Sequence, residues 1–566
     1  NNRIETAYLI GQNGSQTFNT IVRQFDVNNY DLFSDNARTR YSLSQDRYNS
    51  IFGARGDFEY EMEGFVTSVQ GGVRFQELKY QSVPGGVVGT SRTEVVYSNA
   101  ALSIANQACR TAFPETNFLS SVSGGNPLIT NVDAAGNVIS TTNSYASFDA
   151  LCLAQTLEAN DPKGIAFDDN GVPIYPDGNF DAIANNDVNE KSWAGYLQAN
   201  FEGDLGALPI RGNLGLRAVR TKVLSNGFRG ALTATPLVGG GFSLAQDDSQ
   251  PLVPISASSS YTEYLPSLNL VADVRPDMQA RFAVFRALSR PDPSSLGYGR
   301  TFSATNDTDA TSISEIIGSA SASGNPFLSP LLSWNFDAAL EWYPNKDTIL
   351  AGGVYYKSFN GGFEPVGQFE TFEVDGQQLQ ALVTTEQTSS DASTIYGFEL
   401  TAAHRLSYLP APLDGLGFKL SYNYASSNFE TQDGLLGAVG EVQADGSIVT
   451  SEALIPPANI FGLSKHVLSA QLYYQIGGFD LQGVYKYRSR YYQSFVGDSG
   501  SRLRYTDAAG VFEARISYKL NNNIRFTLEG LNLFGETRTD FRPTVGDLSQ
   551  NLVYGPRYFA GVRAKF

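Results

Sequence analysis

The chain has 566 residues, a net charge of −17 and a charged fraction of only 17%. A globular domain of average composition is about one quarter charged, whereas the 36 Phe and 30 Tyr residues exceed what a disordered chain contains. The acidic balance excludes a protein that binds nucleic acid by neutralising phosphates. Two Cys and two His residues are too few for a zinc or haem centre built from them, so we expect no metal site and no cofactor.

No stretch of 18 consecutive apolar residues occurs, so the sequence predicts no transmembrane helix. The first residues lack the basic and apolar regions of a signal peptide. The chain is therefore either cytosolic or a processed or truncated piece of an exported protein.

Apolar and polar residues alternate with a period of two in many segments. Every second residue is apolar or Gly from Trp193 to Phe201, and the same holds from Phe512 to Leu520. This pattern is typical of a β-strand with one apolar and one polar face. We predict fifteen such strands, at residues 47–61, 65–80, 190–204, 210–228, 259–275, 278–291, 331–343, 348–363, 392–408, 417–430, 460–476, 479–495, 504–520, 524–540 and 551–566.

The connections between these strands alternate between two kinds. Tight turns such as 63–64 and 477–478 alternate with long loops, which are 81–189, 229–258, 292–330, 364–391 and 431–459, followed by two short ones near the end. Short turns at one end and long loops at the other describe an all-β, antiparallel transmembrane β-barrel with periplasmic turns and extracellular loops. Its apolar face would contact lipid, since closure leaves no unpaired strand edge there. A secreted sandwich or solenoid is the alternative.

Aromatic residues near strand ends fit the interfacial girdles of such a barrel. The residues that suggest this are Tyr261, Tyr264, Tyr343, Tyr355, Tyr473, Tyr485 and Tyr558. The last strand carries alternating apolar residues and ends in an aromatic one, which matches the signal recognised by the outer-membrane barrel assembly machinery. We predict that this signal consists of Tyr558, Ala560, Val562, Ala564 and Phe566.

Several short motifs resemble a known family through their order and spacing. They are LPIRGNLGLR at 208–217, RALSRPD at 286–292, GNPFLSP at 324–330, GLSKH at 462–466, GLNLF at 530–534 and YGPRYFAGVR at 554–563. Together they resemble TonB-dependent outer-membrane receptors of the large-looped Caulobacter and Xanthomonas type, over roughly residues 47–566. The resemblance implies a barrel of 22 strands around a plug in the outer membrane of a Gram-negative bacterium. It also implies a TonB–ExbB–ExbD complex that acts on the plug to drive import.

Counting strands back from the C-terminus makes the first predicted strand the eighth of 22, and its tight turn at 63–64 then faces the periplasm. We interpret residues 1–566 as the barrel domain of such a receptor, incomplete at its N-terminus and without a plug or TonB box. We expect these parts to precede Asn1 in the natural protein, because an incomplete barrel would leave strand edges unpaired. The alternative is a passive porin of 16 strands that uses residues 1–46 as a strand.

The outer loops are acidic. Loop 81–189 holds eleven acidic and three basic residues, loop 364–391 holds six and none, and loop 431–459 holds four and none. A negative vestibule repels anions such as many ferric siderophores. Sugars, by contrast, are recognised by aromatic faces beside Asp and Asn. The loops offer the aromatic residues Phe167, Tyr175, Phe180, Tyr298, Phe302, Phe369 and Phe372, which could also merely pack the loops together.

The sequence therefore predicts energised uptake of a specific small solute, with a carbohydrate or other glycan-like nutrient favoured. A ferric-siderophore receptor of the same family, a passive porin and a surface binding protein are the alternatives. No individual ligand contact can be assigned. The lack of nucleophile-elbow, phosphate-loop and metalloprotease motifs predicts that the protein is not an enzyme. Lipid and lipopolysaccharide are expected neighbours, and nucleic acid is not.

The two cysteines, the two histidines and one acidic run of the sequence carry further predictions. Cys109 and Cys152 lie in loop 81–189, and an isolated pair of cysteines outside the cell predicts a disulfide. The disulfide would be worth ~4 kcal/mol of loop entropy, in a segment that otherwise resembles a disordered tract.

His404 and His466 lie on or beside strands, which favours a structural role. The run Asp161, Asp168–Gly171, Asp177 and Asp181 could bind calcium but lacks the EF-hand order, so a solvated acidic loop is favoured.

Overall fold

The structure is a computed structural model. It describes residues 5–10, 18–23, 26–33, 38–41, 45–84, 93–113, 129–133, 135–174, 181–360, 362–443, 445, 447–493, 502–543 and 548–565. The chain divides into two compact units: Asn1–Arg47 with Ser82–Ala182, and Tyr48–Gln81 with Ile183–Phe566. No helix among the described residues is long and apolar enough to cross a bilayer.

The second unit is built from long strands and from shorter strands in their connections. The long strands are β4 (Gln45–Glu61), β5 (Val66–Pro84), β13 (Asn186–Leu205), β14 (Leu208–Arg229), β17 (Val253–Arg275), β18 (Met278–Ser289), β22 (Leu331–Asn345), β23 (Thr348–Asn360), β26 (Ala392–Arg405), β27 (Leu416–Ser427), β30 (His466–Ile476), β31 (Phe479–Arg488), β34 (Ala509–Lys519), β35 (Ile524–Leu531) and β38 (Arg557–Ala564). The shorter ones are β15 (Leu232–Pro236), β16 (Phe242–Gln246), β19 (Arg300–Ser303), β20 (Thr305–Asp307), β21 (Ile317–Ala322), β24 (Phe363–Val374), β25 (Gln377–Thr388), β28 (Gly440–Val442), β29 (Ile448–Thr450), β32 (Tyr491–Tyr492), β33 (Tyr505–Thr506), β36 (Arg538–Phe541) and β37 (Leu548–Leu552), with 3₁₀ turns at Pro293–Leu296, Ile313–Glu315 and Leu413–Gly415.

The long strands form one continuous antiparallel sheet, called the wall below, and each of the fifteen predicted strands is present in it. Its order follows the chain from β13 to β38, and the hairpin of β4 and β5 follows β38. Consecutive strands pair over long registers, as from Asp187↔Asn226 to Leu205↔Leu208 between β13 and β14. The turns at 276–277, 346–347 and 477–478 are tight, as predicted, and so is the turn at 206–207, where a somewhat longer connection over 205–209 was expected. The strand order is that of an outer-membrane β-barrel wall.

The wall has an apolar and a polar face because its side chains alternate. On the apolar face, Leu197 is opposite Leu216 and both side chains are exposed. On the polar face, the Arg281 Nε atom donates to the Glu341 Oε1 atom at 2.7 Å. A soluble protein rarely exposes so continuous an apolar surface, so hydrocarbon rather than water is the natural surrounding of this face.

Tyr264, Tyr485 and Tyr558 lie exposed on the apolar face, as a girdle requires. The assignment is wrong for the other four predicted girdle residues. Tyr261, Tyr343, Tyr355 and Tyr473 lie on the polar face, where strand pairing or hydrogen bonding joins them to Thr221, Glu341, Asp337 and Gln482. Nearness to a strand end does not determine the face; the parity of the residue number along the strand does.

The last strands are shorter than predicted. β35 ends at Leu531 rather than at 540, and β38 begins at Arg557 rather than at 551. Asn532 has a positive φ of 52°, which turns the chain and ends the strand. The residues beyond these ends form a separate sheet in the order β32–β33–β36–β37. The last two outer connections, 489–508 and 532–556, are therefore not the short ones that the alternation predicts.

The predicted C-terminal signal lies on β38. Tyr558, Ala560, Val562 and Ala564 pair with β35, from Tyr558↔Gly530 to Ala564↔Ile524, and share the apolar face with Phe526 and Leu528. The fifth residue of the signal, Phe566, lies outside the described residues.

The first unit contains two helices, α1 (Asn99–Ala108) and α2 (Ala150–Asn160), and a 3₁₀ turn at Tyr30–Phe33. Its strands are β1 (Glu5–Ile10), β2 (Phe18–Arg23), β3 (Arg38–Tyr41), β6 (Thr93–Val96), β7 (Arg110–Phe113), β8 (Ile129–Val132), β9 (Val138–Thr142), β10 (Tyr145–Phe148), β11 (Ala166–Phe167) and β12 (Pro173–Ile174). The sheet β1–β2–β8–β9 and the pair β3–β6 use the strands of residues 1–46. Apart from Gln45 and Asp46, with which β4 begins, the described part of that segment supplies no wall strand, against the 16-stranded alternative.

The helices of the first unit are joined by the predicted disulfide between Cys109 and Cys152. Cys109 caps the C-terminus of α1, while Asp149 caps the N-terminus of α2 by accepting from the Cys152 backbone N–H. Ala105 and Leu157 are buried where the helices pack. The disulfide, the caps and the apolar contact hold these residues together, in a segment whose sequence otherwise resembles a disordered tract.

Candidate ligand-binding face of the outer loops

The candidate site is built on a hairpin in the connection between β23 and β26. β24 and β25 are joined by Asp375 and Gly376, which both have positive φ, 49° and 75°. Asp-Gly is strongly favoured in a two-residue hairpin turn because both positions require that conformation. The predicted long connection at 364–391 therefore contains a hairpin that was not predicted, and the Asp-Gly pair between alternating residues is the signal that could have found it.

The hairpin extends a sheet made by a second connection. β19 pairs antiparallel with β21, β21 pairs parallel with β25, and β25 pairs with β24. We call these four strands the outer-loop sheet. The predicted long connection at 292–330 is present, and it provides β19 and β21, which were not predicted.

One face of the outer-loop sheet is a hydrophobic core. Leu379, Val383 and Ala320 are nearly inaccessible to solvent, and the rings of Phe302 and Phe372 meet edge to face at 4.8 Å between centroids. Leu244 of β16 packs into the same cluster, so three outer connections share this core. Burial of a Leu or Val side chain stabilises a fold by about 1.5–3 kcal/mol, which is sufficient to hold these loops together.

A buried ion pair fixes the position of β24 relative to β19. The Arg300 guanidinium donates to both Glu370 carboxylate oxygens, from Nη2 at 2.8 Å and from Nε at 3.0 Å. It also lies over the Tyr298 ring, 4.2 Å from the centroid. Burial, followed by the nearby Glu370 charge, raises the pKa of the Tyr298 hydroxyl. The two-point pairing is specific in direction, so it sets the register of the sheet as well as stabilising it.

The opposite face of the outer-loop sheet is largely exposed and consists mainly of hydroxyl and amide side chains, with the buried Leu382 and the exposed Ile317 among them. Phe369 stands among them with 47% of its side chain exposed. The charged residues on this face, Glu373 and Glu386, are both acidic. Its hydroxyl and amide residues are Thr301, Ser303, Ser319, Ser321, Thr371, Gln378, Gln380 and Thr384. The face offers donors, acceptors, the ring of Phe369 and the side chain of Ile317 to a solute, and we call it the polar loop face.

Most of the chain matches one known protein family. The model of the family described as "TonB dependent receptor-like, beta-barrel" matches residues 2–533. The chain belongs to this family. The receptor barrel therefore resides in the outer membrane of a Gram-negative bacterium, as the sequence motifs predict. No curated protein matches the chain significantly.

Solved structures similar to this receptor barrel include three receptors. The siderophore receptor PiuA from Acinetobacter baumannii has a TM-score of 0.47 and 12% identity, with 92% of this chain and 56% of that chain covered. The ferric yersiniabactin uptake receptor FyuA from Yersinia pestis has a TM-score of 0.45 and 9% identity, with 93% of this chain and 56% of that chain covered. A mutant of the ferric enterobactin receptor PfeA from Pseudomonas aeruginosa has a TM-score of 0.41 and 12% identity, with 92% of this chain and 62% of that chain covered. The chain thus spans about three fifths of the length of these receptors.

The aromatic residues proposed for sugar binding divide into three groups. Phe302 and Phe372 are buried in the core of the outer-loop sheet, and Tyr298 is half-buried against Arg300, so these three pack the loops together. Phe369 is exposed on the polar loop face, and Phe167 is half-buried in the first unit. The remaining two, Tyr175 and Phe180, lie outside the described residues.

Both histidines of the receptor barrel are hydrogen bonded between wall strands. The Nδ1 atom of His404 is 2.8 Å from the Thr348 Oγ1 atom, and the Nδ1 atom of His466 is 2.7 Å from the Tyr422 hydroxyl. Each pair joins two neighbouring wall strands.

The acidic run of the first unit is used in turns. Asp161 accepts from the Ser98 backbone N–H and pairs with Lys163, and Asp168 accepts from the N–H groups of Asn170 and Val172. Within the part of the chain that the structure describes, no group of three or more His, Cys, Asp or Glu side chains could hold a metal ion. Asp177 lies outside that part.

Proposed function

We propose that the chain is the barrel portion of a transporter that imports an uncharged, hydroxyl-rich solute of the carbohydrate class. The observation that carries the proposal is the polar loop face. Hydroxyl and amide groups match the alternating donors and acceptors of a sugar, and the exposed ring of Phe369 can pack against its C–H groups. The two acidic residues there disfavour an anionic ferric siderophore, which would meet like charge.

The energy and the partners of this transport are part of the same proposal. A TonB–ExbB–ExbD complex acts through a plug, the barrel assembly machinery recognises the strand that carries Tyr558 and Val562, and lipopolysaccharide surrounds the apolar face. Residues 81–189 form a long extracellular loop that the disulfide stabilises. The protein makes and breaks no covalent bond of its solute, because its task is to bind and release.

Uptake of labelled solutes by cells that express the natural full-length protein tests this proposal. We expect TonB-dependent accumulation of an oligosaccharide, and at least a tenfold weaker binding when Phe369→Ala is combined with Gln380→Leu. The control is Phe327→Ala, which removes another exposed ring, outside the outer-loop sheet. Accumulation of a ferric siderophore instead, with unchanged binding by the variant, would overturn the carbohydrate assignment. Passage of solutes without TonB would support a porin.

A further inference from the structure

Four basic side chains project from one corner of the apolar face of the wall. Lys79, Lys191, Arg220 and Lys222 lie on β5, β13 and β14, and we call them the basic patch. β5 lies beside β13, since Phe75 contacts Trp193 and Glu77 accepts from Asn189. Lys191 is the register partner of Lys222, and Trp193 is the register partner of Arg220. All four side chains are accessible from outside the wall.

The basic patch has more positive charge than its neighbours neutralise. Glu77 lies 3.4 Å from the Lys191 Nζ atom and also accepts from the Asn189 side chain at 3.0 Å. Asp187, which accepts from Gln81 and Asn226, lies on the same face, so two carboxylates stand beside four cations, in a chain whose net charge is −17. Like charges directly opposite each other on a sheet destabilise it, so the pair of Lys191 and Lys222 has a cost that a bound anion would remove.

The basic patch lies at the outer edge of the lipid-facing band. Phe65 and Phe201 stack at 5.4 Å close to the tight turn, where an inner aromatic girdle is expected. Lys191 is ten residues further along β13, which corresponds to about 33 Å along the strand, or a height of about 25 Å at a tilt of about 40°. This is the height of the apolar band of an outer-membrane barrel, so the cations stand at the level of lipid headgroups.

An apolar groove of about 580 Å³ lies directly below the basic patch on the same face. Gly56, Gly195 and Ala218 form its floor because they lack large side chains. Phe75 and Trp193, with ring centroids 5.6 Å apart, border it, and Arg220 lies at its outer end. A groove in a lipid-facing wall that leads up to a cation has the form of a site for an acyl chain attached to a phosphate.

Other strands carry different residues near the outer end of this face. β26 has Tyr396 and β38 has Tyr558, both exposed, in place of cations. The basic patch is therefore not repeated on these two strands.

We propose that the basic patch and the groove below it form a binding site for lipid A, the phosphorylated and acylated glycolipid of lipopolysaccharide. The geometry places phosphate against Lys191, Arg220 and Lys222, and one acyl chain between Phe75 and Trp193. Lipid A is the source because the patch lies at the loop end of the strands, in the outer leaflet, and because several neighbouring cations suit a headgroup with more than one phosphate. The site is separate from the polar loop face, so the proposal does not depend on the transported solute.

Native mass spectrometry of the purified, delipidated full-length protein tests the site, with purified lipid A as the probe. We expect the triple variant Lys191→Gln, Arg220→Gln, Lys222→Gln to bind lipid A at least tenfold more weakly. The matched control removes three Lys charges elsewhere, with Lys346→Gln, Lys357→Gln and Lys419→Gln, and should bind as the unaltered protein does. Ala218→Phe, which fills the groove without changing charge, should also weaken binding.

Thermal unfolding in detergent adds a test that does not need the triple variant to fold. Lys222→Gln should raise the midpoint without lipid, because it removes the repulsion from Lys191, and should reduce the rise that lipid A causes. Unchanged lipid A affinity in the triple variant would overturn the proposal, and so would equal loss in the control. Phosphatidylglycerol that binds as tightly as lipid A, with the same sensitivity to the variants, would overturn the assignment to lipopolysaccharide.

Discussion

The wall and the outer-loop sheet obey opposite rules of burial although both are β-sheets with alternating side chains. In the wall, Leu197 exposes 58% of its side chain, whereas in the outer-loop sheet Leu379 exposes 1%. The polar side chains show the opposite exposure as well. In the wall, Gln198 donates to Gln70 and Asn200 on the polar face, whereas in the outer-loop sheet Gln380 is exposed. The two sheets therefore have different surroundings: the apolar face of the wall contacts hydrocarbon, and the loops contact water.

The largest expected effect breaks the outer-loop sheet at its ion pair. Arg300→Ala leaves Glu370 without its partner and should cost about 3 kcal/mol, at the low end for buried pairs because 24% of the Glu370 side chain is exposed. Hydrogen exchange of the β24 amides should accelerate about a hundredfold, while exchange in the wall stays unchanged. Arg300→Met combined with Glu370→Gln should recover most of the loss. Equal acceleration in the wall would show that the two sheets are not independent.

The same substitution on the two sheets sharpens the comparison. Leu379→Ala opens a cavity in the core of the outer-loop sheet and should cost about 2–3 kcal/mol. Leu197→Ala should cost less than about 1 kcal/mol in a bilayer, because lipid chains are as apolar as the side chain that they replace. The measurement is the free energy of unfolding by urea from lipid vesicles. Similar losses at both positions would mean that Leu197 is packed against protein rather than lipid.

The wall was predictable from sequence because one physical rule governs every strand. Lipid requires every second residue to be apolar, so the pattern around Trp193 or Phe512 identifies strand, face and register parity together. The positions of strand ends were less predictable, because Asn532 ends β35 through its backbone conformation while alternation continues in the sequence.

The outer-loop sheet was missed for a different reason. Its strands pair across three separate connections, and β21 pairs parallel with β25, a contact that neither segment encodes locally. Phe302 and Phe372 were candidates for ligand binding from their chemistry, but tertiary packing buries them. Only the Asp-Gly turn at 375–376 was a local signal for the site. Phe369 could be separated from the others only once the parity of its strand was known.

A charge on the apolar face distinguishes lipid from water more directly than a truncation does. Leu197→Arg should cost about 2–3 kcal/mol, since Leu197 is near the middle of the lipid-facing band. The neighbouring Gln198→Arg carries the same charge to the polar face and should cost less than about 1 kcal/mol. Folding into vesicles, followed by the mobility shift of folded barrels in electrophoresis, provides the measurement. The opposite order of the two effects would reverse the assignment of the faces.

The smallest expected effect concerns Asp433, which joins two outer connections. It is buried and accepts from the backbone N–H groups of Leu503, Leu435 and Leu436 at 2.7, 3.0 and 2.9 Å. Burial raises the pKa of this carboxyl, but the three N–H bonds and the nearby Arg502 outweigh burial, so its pKa lies below the usual value. The depressed pKa makes the ionised form the one that stabilises the loops.

A group with a depressed folded-state pKa contributes stability above its unfolded pKa of about 3.9, and this stability is lost as the pH falls through the folded-state value. Protection of the Leu503 amide from hydrogen exchange, corrected for the intrinsic pH dependence, should therefore be constant above about pH 5 and fall below about pH 4. Asp433→Asn should lower protection by about 1–2 kcal/mol at neutral pH and abolish this pH dependence. Because the wall strands have no part in these three hydrogen bonds, their exchange should not follow the same curve. A parallel decline in both regions would instead indicate global acid unfolding.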